Sequence, residues 1–199
     1  MKIRLAIDYL QEDSIVDGEG IRTVIWTQGC NHKCPGCHNP QTHSFEDGYL
    51  LDINEVKSMI DKLEGQDGIT FSGGDPFYQP EECAVLAKYA HSKKLNVWCY
   101  TGFTYESLMK LSSTNSKIMD FLKEIDVLID GPFLLEKKSL DAIFRGSTNQ
   151  RIIDVKKSLK EKKVVLVDKY YQNNKKQKER IYIQKCSFLN YIIEKKINI

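Results

Sequence analysis

Two periods of apolar residues alternate along this chain of 199 residues, one suited to strands and one to helices. After a polar lead-in, "IRTVIWTQ" (Ile21 to Gln28) is a β-branched and aromatic run of strand length, closed by the glycine that opens the next loop. "DINEVKSMIDKLEG" places Ile53, Val56, Met59, Ile60 and Leu63 at helical spacing, with Asp52 as N-cap and Gly65 as stop. "GITFSGG" predicts a short strand running into a glycine pair. "PEECAVLAKYAHSKK" predicts a helix that begins at a proline and carries Cys83, Leu86, Ala87 and Ala90 on one stripe; "LNVWCYTG" predicts the strand after it. A longer helical region from about Tyr105 to Glu124 precedes "DVLIDGPF", a strand that ends in Gly-Pro. Beyond Ile153 the pattern fades, and "KKVVLV" and "RIYI" have strand composition without a definable topology.

Strands alternating with helices imply βαβ units around a parallel sheet, because parallel neighbours need a crossover and a helix is the usual one. The fold class is therefore α/β, an open sheet or a barrel. In both architectures ligands bind outside the carboxyl ends of the strands. Four candidate loops fall there: the cysteine loop after Gln28, "SGGDPF" after Phe71, "TGF" after Tyr100 and "DGPF" after Ile129.

Composition adds limits. Hydrophobic residues at 41% and charged residues at 28% suit a folded domain, and the length suits a single one. Net charge is +2, but the segment Lys156 to Ile199 carries 13 Lys and Arg against 4 Asp and Glu, a net of +9 that leaves −7 for residues 1–155. A basic segment 156–199 thus stands apart from 1–155. Its run "NNKKQKER" lacks interleaved glycine or aromatics and reads as a solvated surface, so no nucleic acid is expected. No apolar run approaches the roughly 18 residues of a membrane span, and "MKIRLAIDYLQEDS" lacks the apolar core and cleavage site of a secretory signal. The expectation is a cytoplasmic protein without membrane contact, whose six cysteines are kept reduced and serve as metal ligands or catalytic groups before disulfides.

Three of those cysteines, Cys30, Cys34 and Cys37, lie as C-x3-C-x2-C in the turn-rich segment "TQGCNHKCPGCHNPQTH". Such a loop can wrap three thiolates about one centre. Three thiolates on a cubane [4Fe-4S] cluster leave one iron open, the mark of a reacting rather than a structural site. His32, His38 or His43 completing a Cys3His zinc tetrahedron is the alternative, and the loop alone leaves both open. "SGGDP" offers two glycines that allow close backbone approach and an acceptor, Asp75, able to pair with an ammonium; it also reads as a plain turn. Cys83 and Cys99 read as small core residues, and His91 as a solvated helix residue.

Together, the cysteine spacing and the glycine pair resemble the radical S-adenosylmethionine (SAM) enzymes. "DGEGIRTVIWTQGCNHKCPGCHNPQTH" resembles their glycyl-radical-enzyme activases. "TFSGGDPF", "VWCYTGFTYESL", "DVLIDGPF" and "FRGSTNQRIIDV" are similar to the anaerobic ribonucleoside-triphosphate reductase-activating family, over about residues 15–155. The resemblance implies an incomplete (β/α) barrel as a single domain over 1–155. It implies a [4Fe-4S] cluster on Cys30, Cys34 and Cys37, with SAM chelating the open iron and Gly36, Cys37, His38, Gly73, Gly74 and Asp75 around it. One electron would then release methionine and a 5′-deoxyadenosyl radical, which removes hydrogen from a glycine of the large reductase subunit. A low-potential donor such as flavodoxin would supply the electron, and no further catalytic side chain is implied. Asp130 to Phe133 and Arg145 to Arg151 are candidates for the pocket rim or partner surface. Two positions depart from the wider pattern: Glu19 stands where proline is frequent, and Gly36 where many radical SAM proteins place an aromatic. Rival readings are activation of another glycyl-radical enzyme, such as a pyruvate formate-lyase, and a non-catalytic zinc-binding adaptor. The short chain and "RGSTNQR" weigh against the first.

Overall fold

The two apolar periods separate in space. Strand residues build one seven-stranded mixed sheet, and the helical stripes pack on it. The computed structural model describes residues 1–171. Its elements are β1 (Lys2–Ser14), β2 (Arg22–Thr27), β3 (Tyr49–Asp52), α1 (Ile53–Ile60), β4 (Gly68–Gly73), α2 (Pro80–Ser92), β5 (Asn96–Tyr100), α3 (Tyr105–Ser112), α4 (Ser116–Lys123), β6 (Val127–Asp130), β7 (Arg151–Asp154) and α5 (Val155–Glu161). A compact unit runs from Met1 to Val167. A second unit begins at Asp168, and its described part is one 3-10 turn, Asp168–Tyr170. "RIYI", the basic run "NNKKQKER" and Cys186 lie outside the described residues.

The sheet order is β3-β1-β2-β4-β5-β6-β7. The expectation of a parallel sheet holds for its centre, where β2, β4, β5 and β6 are mutually parallel. It fails at the edges: β1 is antiparallel to both β2 and β3, and β7 is antiparallel to β6. Antiparallel strands need no helical crossover, so the alternation of helix and strand carries no sign of them. β1 occupies the supposed polar lead-in. Ile3 and Leu5 are fully buried around Arg4, but register shifts after Leu5 and after Gln11 break the alternation that would reveal it. β3 and β7 have four residues each, too few for a period to show. "KKVVLV" contributes an isolated antiparallel bridge, Ile153 to Leu166, rather than a strand.

Helix ends follow local chemistry. Asp52 caps α1 as expected, accepting from the Asn54 N–H at 2.9 Å while Glu55 reaches back to the Asp52 N–H at 3.4 Å, a capping box that contributes about 1 kcal/mol. α1 closes at Ile60, well before Gly65. The helical region from Tyr105 to Glu124 is two helices, because Asn115 leaves helical backbone (φ −136°) and its side chain accepts from the Lys117 N–H at 3.2 Å, starting α4 afresh. Among the described residues no helix is long and apolar enough to cross a membrane.

Side-chain alternation gives the sheet two unlike faces. Ile25, Ile69, Phe71, Val97, Cys99, Leu128 and Ile153 join Val56, Leu86, Ala90, Leu108, Phe121 and Leu122 in one apolar core to which all five helices contribute. Cys83 and Cys99 lie in that core, as their pattern predicts. The opposite face carries Arg22, Val24, Thr70, Trp98, Tyr100, Ile129 and Ile152. Among the described residues, loops cover it rather than helices. Thr70 Oγ1 donates to the Asp17 carbonyl at 2.8 Å, Tyr100 Oη donates to the Phe144 carbonyl at 2.9 Å, and the Phe144 ring meets Trp98 edge-on at 5.4 Å.

Candidate metal centre

The cysteine loop leaves the end of β2 and is closed at its neck by backbone pairing. Gly29 N–H donates to the Thr42 carbonyl at 2.8 Å, and Cys30 N–H to the His43 carbonyl at 3.0 Å. Gln28 braces the neck from below, its amide nitrogen donating to the carbonyls of Ser44 (2.8 Å) and Gln41 (3.2 Å). At the tip, Cys37 N–H donates to the Cys34 carbonyl at 3.1 Å across Pro35 and Gly36, and Gly36 has φ +71°. Proline followed by a left-handed glycine is the composition of a type II turn. The turn thus explains the glycine that departs from the wider family pattern at position 36.

One of the three sulfurs, Cys37, accepts a backbone N–H, that of Asn39 at 3.4 Å, and the backbones of His32 and Phe133 work to lower the Cys30 and Cys34 thiols respectively. All three side chains are half-buried. Burial pushes the Cys30 thiol up to about 11, against the His32 amide, with Asp75 and the other two sulfurs adding to the rise. Burial likewise raises Cys34. Protons therefore hold Cys30 and Cys34 until a cation displaces them. Among the described residues no three His, Cys, Asp or Glu side chains form a ready single-ion site. A cubane seats each thiolate on a different iron, so its ligands stand farther apart than ligands sharing one ion at about 2.3 Å. Three half-buried soft donors on one loop fit such a cluster.

The glycine pair holds the neighbouring loop against this one. Gly73 has φ +102°, and a Cβ there would lie 2.5 Å from the Thr27 carbonyl; a Cβ on Gly74 would lie 2.4 Å from that of Gly29. The backbones meet instead through Gly74 N–H to Thr27 O (2.7 Å) and Asp75 N–H to Gly29 O (2.9 Å). Asp75 is 1% exposed. Its carboxylate accepts from the Phe77 N–H (3.0 Å), the Thr101 hydroxyl (2.8 Å), the Gly102 N–H (2.9 Å) and His32 Nε2 (2.6 Å). Three of the four predicted loops are joined at this one side chain.

The fourth loop closes the rim. His38 is exposed, with its ring 4.7 Å from that of Phe133 and against Gly146, where a Cβ would come within 3.0 Å. Asp130, 1% exposed, accepts from the Tyr105 N–H at 2.7 Å and from Arg151, whose guanidinium also reaches Glu106. These contacts raise Arg151, Asp130 foremost, and Arg151 holds Glu106 below its ordinary range. Arg145 donates within its own loop, to the Gln150 carbonyl at 3.2 Å. His43 contributes its carbonyl to the neck. Tyr78 escapes the sequence reading, and Thr101 and Phe103 enter it only as part of the "TGF" loop, without a role of their own. Tyr78 lies 6.0 Å and Phe103 4.5 Å from the His32 ring, and burial, with the charges of Asp75 and Cys30, raises the Tyr78 phenol. Their signal was their place in "DPFY" and "YTGF", directly after strands.

Comparison with known proteins gives the family. A family described as a 4Fe-4S single cluster domain matches residues 16–153. The anaerobic ribonucleoside-triphosphate reductase-activating protein of Enterobacteria phage T4 is 33% identical over 153 residues, covering 73% of this chain and 91% of the phage protein. That of Haemophilus influenzae is 33% identical over 157 residues, covering 73% and 97%. That of Escherichia coli K12 is 32% identical over 151 residues, covering 68% and 90%. With that identity spread over nearly the full length of its relatives, the chain belongs to the anaerobic ribonucleoside-triphosphate reductase-activating protein family and carries a 4Fe-4S single cluster domain.

Proposed function

We propose that this chain is a radical SAM activase that installs a glycyl radical on the large subunit of an anaerobic (class III) ribonucleoside-triphosphate reductase. The observation that carries this reading is a set of three half-buried sulfurs, Cys30, Cys34 and Cys37, on the loop that leaves the carboxyl end of the parallel strand β2. When bound, a [4Fe-4S] cluster with one open iron supplies the electron that cleaves SAM to methionine and a 5′-deoxyadenosyl radical able to take a glycine hydrogen. Gly36, Cys37, His38, Gly73, Gly74 and Asp75 are the residues we assign around SAM. Of these Asp75 is the most committed, since it already accepts from His32, Thr101 and Gly102.

The chain's own contribution is positioning. Glycine hydrogen abstraction needs no general base, because the product radical is stabilised by the flanking amide and carbonyl; what it needs is the target hydrogen held close and water kept out. A sheet with helices on one face and loops on the other is the wall of the incomplete (β/α) barrel we assign to residues 1–155. An open side admits a peptide loop from a large partner. The reading further places the protein in the cytoplasm, with a low-potential electron donor such as flavodoxin.

The test mixes the anaerobically reconstituted protein with SAM, a reductant and either the reductase large subunit or a pyruvate formate-lyase. A glycyl EPR doublet on the reductase is expected. A doublet on the lyase alone defeats the choice of partner, and stoichiometric zinc without iron defeats radical chemistry altogether.

A further inference from the structure

His32 stands between two of the cluster-binding cysteines, and both of its polar ends are placed. Its backbone amide lies near the Cys30 sulfur and works to lower that thiol. Its Nε2–H donates to Asp75 at 2.6 Å, so the cysteine loop is tied by a side chain to a carboxylate that Thr101 and Gly102 hold at the end of β5. The ring lies on Gly102: a Cβ at that position would be 2.5 Å from His32 Cδ2 and 2.7 Å from Nε2. Phe103 closes on it edge-on at 4.5 Å. The fit is thus built from both sides, with a glycine making room and a buried acid supplying the acceptor.

We propose that His32 is a positioning residue. Clamped by Asp75 onto the ends of β4 and β5, it keeps its own amide beside the Cys30 sulfur, ready to donate to a bound cluster, and so sets the reduction potential of that cluster. This second half rests on the cluster assigned above. N–H donors on cluster sulfurs favour the more negative, reduced state, so losing the clamp moves the potential to more negative values.

Three variants test it. His32→Phe keeps an aromatic ring against Phe103 and removes the N–H. Gly102→Ala leaves His32 and Asp75 chemically intact and drives a methyl group into the ring. His32→Gln restores a donor. In the cluster-free chain, amide hydrogen exchange at residues 31–34 should rise about tenfold in His32→Phe and in Gly102→Ala, and stay near wild type in His32→Gln. In reconstituted protein of equal iron content, His32→Phe should show a more negative midpoint potential and an altered EPR line shape, both recovered in His32→Gln. Wild-type exchange and potential in His32→Phe overturn the proposal, as does a His32→Gln variant that behaves like His32→Phe. If the wild type takes up no cluster, the functional reading fails while the exchange measurement still decides whether the clamp exists.

Discussion

Two side chains of opposite charge are buried at opposite ends of the parallel strands. At the amino end of β2, Arg22 is fully buried, donating to Thr70 Oγ1 (2.7 Å), Asn96 Oδ1 (2.8 Å), the Ile69 carbonyl (2.5 Å) and the Glu19 carbonyl (3.0 Å), with Trp98 5.2 Å beneath its guanidinium. At the carboxyl end of β4, Asp75 is solvated in the same way by donors. The physics is shared: a buried charge persists where polar groups replace its water. The difference lies in what each one ties. Arg22 joins β2, β4 and β5 to the segment before β2, all parts of the scaffold, and Gly18 is glycine because a Cβ there would strike Arg22 Cδ at 2.7 Å. Asp75 joins the scaffold to the cysteine loop. One hub makes the fold, and the other delivers the fold's rigidity to the sulfurs.

The comparison breaks most visibly at Arg22. Arg22→Met leaves Thr70 and Asn96 without their cationic partner and should cost about 3–5 kcal/mol in urea unfolding. Amide exchange in the cysteine loop of the remaining folded protein should stay at wild-type rates. Cys34→Ser is the reverse case: 5′-deoxyadenosine production should fall about a hundredfold or more while the cluster-free chain unfolds within about 1 kcal/mol of wild type. Full SAM cleavage in that variant removes Cys34 from the ligand set. Asp75→Asn keeps the shape and halves the acceptor capacity, for an expected loss of about 1–3 kcal/mol together with reduced iron uptake.

The smallest effect is electrostatic and again lies at the amino end. Burial works to raise the Asp126 carboxyl, but Lys156, the Val97 N–H (2.8 Å) and His91 (3.1 Å) outweigh it and hold it below its ordinary range. A depressed carboxyl stabilises the fold above its unfolded value of about 3.9 and loses that contribution as pH falls through the lower, folded value. Wild type should therefore exceed Asp126→Asn by about 1 kcal/mol at neutral pH and converge with it in acid. A constant difference from pH 7 to pH 2 would remove Asp126 from the account.

How far the sequence disclosed this arrangement follows from how local each signal is. The central strands, α2 and the Asp52 cap rest on runs of consecutive residues, and their patterns were readable. β1 was hidden by its bulges and its polar second half, and β3 and β7 by their four-residue length. The convergence of the strand-end loops was legible from topology, since parallel strands place those loops together. The identity of the hub was not. Pairing Asp75 with Thr101 and His32 spans 26 and 43 residues, and a threonine in "YTGF" carries no mark of its partner. Arg22 was equally obscure, because a lone arginine at the start of an apolar strand reads as its solvated end.

The most direct test of the central claim is the EPR spectrum of the anaerobically reconstituted, reduced protein, recorded with and without SAM beside its iron and sulfide content. The account predicts about four irons and four sulfides per chain and a cluster signal that changes on adding SAM, because Cys30, Cys34 and Cys37 leave one iron open. A cluster signal indifferent to SAM, or a chain that takes up zinc and no iron, contradicts it.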